Sequence, residues 1–155
     1  MTHSPRLRAL RGALWLNLAL LVVVFLLGMT VNLYIAFPTN LKIDAMQLAA
    51  HTPSIQWHMI VASLVLLVGL AALVLSVVAR HVWALGATLA GLALALVAYG
   101  GGMMFLTNGY QESASMMMAV GFIGAFVAYA LGAVAVNRHG VSHEVAQEST
   151  LATAR

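Results

Sequence analysis

Four long apolar runs, each bounded by polar or turn-forming residues, set the pattern of this chain: residues 13–37, 53–79, 82–106 and 114–136. Each reaches the roughly 20 residues that a helix needs to cross the hydrocarbon of a bilayer. In that medium a segment must satisfy its own backbone hydrogen bonds, so the runs predict helices. The second run opens at Thr52-Pro53, where Thr is a favoured N-cap and Pro fits the first helical position. Arg80-His81 separates the second run from the third, and Thr107-Asn108-Gly109-Tyr110-Gln111-Glu112 separates the third from the fourth. Links this short make the second, third and fourth spans antiparallel neighbours. The expected fold is all-α, an integral membrane bundle of four helices running up-down-up-down.

The flanks divide the rest. Residues 1–12 are a basic N-terminal segment with Arg6, Arg8 and Arg11, and 137–155 form a polar tail, of which Val141 to Arg155 is expected to be disordered or a frayed helix. The basic start resembles that of a signal peptide, but the following run exceeds the roughly 7–15 apolar residues of such a peptide, and Phe37-Pro38-Thr39 offers no small-residue cleavage site. An uncleaved first span is expected. Between the first and second spans, Leu41, Ala45, Met46, Leu48 and Ala49 give one apolar face to a short helix lying on the membrane surface.

Composition agrees. Of 155 residues 63% are hydrophobic and 7% charged, against roughly a quarter charged in soluble domains, which excludes an ordinary soluble fold. The absence of cysteine removes disulfides, thiolate metal sites and cysteine nucleophiles. The net charge of +3 is read as topology and not as a nucleic-acid footprint. With both termini cytoplasmic, Arg6, Arg8, Arg11, Arg80, Arg138 and Arg155 lie inside and Lys42 outside, as the positive-inside rule requires. Trp15 and Trp83 then fall at the inner interface, and Tyr34, Trp57 and Tyr110 at the outer one. The expected location is the cell membrane, as a multi-pass protein.

Helices in lipid meet through small and polar residues, so stripes of these mark inward faces. On the second span the stripe is His58, Ala62, Val65, Gly69, Ala72 and Ser76. On the third it is Gly86, Ala90, Ala93, Val97, Gly101 and Met104, and on the fourth Met117, Gly121, Gly124, Ala128 and Ala135. The first span contributes Asn17, Val24, Gly28 and Asn32. Together they predict Asn32, His58, Met104 and Met117 converging near the outer end. The small-x-x-x-small pairs Gly86/Ala90, Ala87/Gly91 and Gly121/Ala125 are read first as packing within the bundle and second as dimerisation surfaces.

That convergence carries the candidate chemistry. An ionisable side chain inside a membrane bundle is by default a functional-site hypothesis, and His58 is the one His within the spans. Apart from Met1, every Met lies in the outward half of a span or an outer loop. Thioether and imidazole together suit Cu(I), and a His/Met pair is an axial set for haem iron. The sequence therefore offers a haem b or copper site with His58 as principal ligand, Met104 or Met117 opposite, and Asn32 orienting the imidazole. Set against it, Met is a flexible core filler, and Gly100-Gly101-Gly102 leaves a gap that Met103, Met104 and their neighbours can fill without any ligand. No carboxylate lies within the spans, which argues against proton-coupled transport. No Ser has a His and Asp arranged for nucleophilic catalysis, so the reading is against an enzyme.

Asn32-Leu33-Tyr34 through Phe37-Pro38, with His58 opening the second span, and Asn108-Gly109 followed by Ser115-Met116-Met117-Met118-Ala119, resemble a family of small, uncharacterised bacterial four-span membrane proteins. The resemblance covers most of the chain and implies the fold without an activity. A looser likeness is to four-helix membrane proteins that hold haem b, from which this chain departs in having a single intramembrane His. Three functions are thus carried forward: haem or copper handling, with electron transfer in view; a non-enzymatic accessory or assembly subunit of a larger membrane complex, with self-association as a further possibility; and a carrier for a small apolar molecule such as a quinone, which needs an opening between spans.

Overall fold

In a computed structural model that describes residues 5–35, 45–107 and 112–153, the regular elements are all α-helices. They are α1 (Pro5–Tyr34), α2 (Ala45–His51), α3 (Pro53–Val78), α4 (Val82–Thr107) and α5 (Glu112–Thr153). The long helices coincide with the apolar runs, and all four are long and apolar enough to cross a membrane. Two boundaries move. The basic segment from Pro5 on is the first part of α1, with Pro5 at its first turn where proline is tolerated, and α5 continues past residue 136 to Thr153 with no proline to stop it. The short loop helix is present as α2, while Leu41 of its expected face and the Asn108-Gly109 turn lie outside the described residues.

The link between α3 and α4 shows how a tight reversal is made. Arg80 adopts a left-handed φ of 54°, its N–H donates to the Val77 carbonyl, and the His81 N–H donates to that of Ser76. This is the Schellman closure of a helix C-terminus. His81 then starts the next helix, its Nδ1 accepting the Ala84 N–H at 3.1 Å. Thr52 holds the N-cap position of α3 with extended backbone but makes no side-chain cap. There Pro53 does what was expected, and the threonine hydroxyl does not.

Among the described residues the helix backbones form a ring in the order α1, α3, α4, α5, with no close backbone approach across either diagonal and with α4 and α5 packed most closely. Glycines explain that closeness. A Cβ on Gly121 would stand 2.6 Å from the Ala98 backbone nitrogen, and one on Gly101 would stand 2.9 Å from the Ala114 carbonyl oxygen. Large apolar side chains instead point outward, among them Leu67 and Val74 on α3, Leu89 and Leu96 on α4, and Ile123, Val127 and Leu131 on α5. Lipid is the solvent that such a surface requires. Toward the ends of the bundle that carry the chain termini, the interior is polar: Thr88 donates to Ser76 at 3.3 Å across α3 and α4. Nearby, Asn17 of α1 faces Tyr129 of α5.

The inward stripes of α3 and α5 fall largely where the sequence put them. That of α4 does not. Gly86, Ala90, Ala93, Val97 and Met104 are exposed, while Ala84, Thr88, Gly91, Ala95 and Gly101 are buried. Small residues surround α4 on every side, so their spacing alone selects no face. The buried hydroxyl of Thr88 and the outward Leu89 and Leu96 show which face won. The packing role first read for Gly86/Ala90 is corrected accordingly: a Cβ on Gly86 would meet nothing within 4 Å. Ala87/Gly91 and Gly121/Ala125 do pack inside, with Gly91 against the Tyr129 ring and Ala87 against Gly132.

Candidate functional site

In the α2 half of the bundle the four long helices part around a cavity of about 460 Å³, within the range of roughly 300–1,000 Å³ typical of small-molecule sites. Its wall is mainly apolar, with Asn32, His58, Tyr99 and Ser115 as the polar side chains on it. The cavity exists where the glycine-mediated contacts of α4 and α5 leave α1 and α3 standing off on the other side. Buried Val24, Val65, Ala95 and Ala125 form part of its wall toward the termini.

His58 sits on the α3 wall, half-buried. Its Nδ1 is buried and makes no hydrogen bond of good geometry, although the imidazole faces the Val24 backbone of α1. The Cε1–Nδ1 edge of the imidazole can approach α1 because residue 28 is glycine: a Cβ there would be 3.0 Å from Cε1 and 3.4 Å from Nδ1. A buried polar atom without a well-formed hydrogen bond costs free energy in any interior and more in one bounded by lipid. This nitrogen is therefore the chemically unsettled point of the cavity.

Of the residues expected to converge here, His58 and Asn32 do line the cavity. Asn32 is exposed at its rim and does not bond Nδ1 of His58. Met104 and Met117 are not on the wall. Met104 is 40% exposed on the outside of α4, a consequence of the turned face of that helix. The Met117 methyl packs 3.8 Å from the Cβ position of Gly100. Their neighbours take their places: Met103 and Met118 line the cavity from α4 and α5, and Met29 and Met59 from α1 and α3. Adjacent helical residues point about 100° apart, so a misjudged face exchanges one member of a Met-Met pair for the other. Among the described residues no group of three or more His, Cys, Asp or Glu comes together, so a metal here would rest on His58 and thioethers.

A further residue escaped sequence reasoning. Tyr129 is fully buried, cradled by Gly69 and Gly91, which a Cβ would drive into its hydroxyl and ring. Its hydroxyl and the Asn17 amide face each other without reaching hydrogen-bond geometry. A signal was available: Gly69 and Gly91 lie on the buried faces of neighbouring helices, where two glycines leave room for one large ring.

No protein-family model, curated protein or solved structure matches this chain. The fold itself defines the class, a small all-helical multi-pass membrane protein with four spans. That much of the resemblance to four-span proteins stands on the helices, while family membership and the likeness to haem proteins gain nothing from the comparisons.

Proposed function

We propose that this protein holds a flat, largely apolar cofactor in the cavity of its α2 half, haem b ahead of copper, with His58 as principal ligand. The observation that supports the reading is the buried imidazole nitrogen, without a well-formed hydrogen bond, on the wall of an apolar cavity of about 460 Å³. The residues present fit the group. His58 of α3, together with the thioether of Met103 of α4 or Met118 of α5, would hold it. Met104 and Met117, turned away from the wall, have no part in it. A bound haem b would supply one-electron chemistry, while the chain binds it, shields it from water and sets its ligands. A cavity of this size exceeds what a single Cu(I) ion fills, which ranks copper second. Charge distribution supports termini in the cytoplasm of a cell-membrane protein and the cavity toward the far side.

The test is titration of the detergent-purified protein with haemin and, separately, with Cu(I). Saturable one-to-one haemin binding that His58→Ala weakens by roughly 100-fold is expected, the scale of losing a principal ligand contact. Equal binding by the wild type and His58→Ala would refute the assignment.

A second reading, an accessory subunit of a larger membrane complex or of a self-assembly, is favoured by one observation. Gly86, Ala90 and Ala93 present a small-residue stripe on the outside of α4, the kind of surface on which another membrane helix packs closely. Co-purification of a stoichiometric protein lost on Gly86→Leu would support it.

A further inference from the structure

Where a cavity is closed decides from which solvent its ligand comes. At the α2 end, Ala49, Ile55 and Leu106 form a buried apolar cluster with Val31, Ile35, Leu48 and Met59 packed against it. On the α3 and α4 sides every wall residue is buried or half-buried. The exposed residues of the wall are Phe25, Met29 and Asn32 of α1 and Ser115, Ala119 and Ile123 of α5. Neighbours in the ring though they are, α1 and α5 are also its most loosely packed pair. Three observations thus place the mouth in one seam: the apolar cluster at the α2 end, the exposure of the wall on α1 and α5 only among the described residues, and the loose packing of that pair.

We infer that the cavity opens sideways into the bilayer between α1 and α5, and that its ligand enters from lipid and not from water. This rests on the binding reading above and adds the route and the chemical class: a membrane-soluble molecule with a flat apolar body and one polar edge. The body passes between Met29 and Ala119. The polar edge stays at Asn32 and Ser115, the exposed polar side chains of the mouth, which lie at the end of the bundle where the bilayer meets water. Phe25 and Phe122, stacked with ring centroids 5.4 Å apart and planes 21° apart, join α1 to α5 deeper in the seam and form its sill. An aromatic pair of this kind is worth about 0.5–1.5 kcal/mol, so it closes the seam without sealing it permanently.

The chain has no native cysteine, so single cysteines can be labelled cleanly. Met29→Cys and Ala119→Cys each place a thiol at one lip of the mouth, and Val97→Cys places one on the exposed outside of α4, away from it. Each variant is reconstituted, and the rate of haemin uptake from phosphatidylcholine vesicles is followed by absorbance before and after reaction with a bulky maleimide. Labelling at either lip is expected to slow uptake by roughly tenfold or more, the effect of a modest added barrier, and labelling at Val97→Cys to leave it unchanged. Both lips belong to the wall, but Met29→Cys removes a large thioether whereas Ala119→Cys adds only a thiol, so Ala119→Cys carries the decision if Met29→Cys binds poorly unlabelled. Unchanged rates at labelled Ala119→Cys would overturn the lateral route while leaving the binding site intact. Failure of the unlabelled wild type to take up haemin would overturn both.

Discussion

At Gly28 a single missing Cβ gives the imidazole of His58 its place. Alanine there would bring a methyl carbon 3.0 Å from Cε1, closer than nearly all real contacts, and the ring would have to swing away from α1. Gly28→Ala is expected to weaken haemin binding by roughly tenfold, with a change in the ligand-field bands, while the helix content by circular dichroism stays the same. A second residue-scale expectation concerns Arg80, held at φ 54°. A left-handed conformation costs an L-residue about 1–2 kcal/mol, part of which glycine returns as backbone entropy in the unfolded chain. Arg80→Gly should therefore raise stability by about 0.5–1 kcal/mol in a detergent unfolding titration. His58 was legible at this scale because it is ionisable inside an apolar run. The lack of a well-formed hydrogen bond at its Nδ1 was not, since that depends on what α1 presents at the same depth.

Between elements, the outcome turns on which face of each helix is small. Gly121→Ala would press a methyl against the backbone of α4 at Ala98, where no side chain can move aside. A loss of about 1–3 kcal/mol is expected, or failure to hold the bundle together, read as a lowered unfolding midpoint. Asn17 and Tyr129 make a different test. Their polar atoms face each other short of hydrogen-bond geometry, so neither Asn17→Leu nor Tyr129→Phe strands a bonded partner, and the two changes should each cost little and add nearly independently, as a double-mutant cycle on stability would show. The face of α3 was readable because His58, Gly69 and Ser76 stand out against leucines on the other side. That of α4 was not, because alanine and glycine recur all round it and the choice depended on how closely α5 approaches at Gly101 and Gly121. Met104 was misplaced for the same reason, whereas Met117, on the well-read face of α5, packs against Gly100 and leaves the wall to Met118.

For the whole molecule, the apolar outer surface, the ring of four helices and the glycine-packed α4–α5 seam produce a bundle that is tight along one side and open along the other. The cavity is a result of that asymmetry, and so is its mouth between α1 and α5. The four-span architecture could be read in the sequence, since run length and charge suffice for it. The cavity could not, because it is the space left over once every helix has chosen its face. The central claim is that this space holds a cofactor on His58. Its most direct test is the absorption spectrum of the protein purified in mild detergent from cells supplied with haem, recorded oxidised and then reduced, beside that of His58→Ala. A Soret band that shifts on reduction and is absent from His58→Ala is the predicted result. A colourless wild type whose added haemin keeps the spectrum it has in detergent alone and separates from the protein on gel filtration would contradict it.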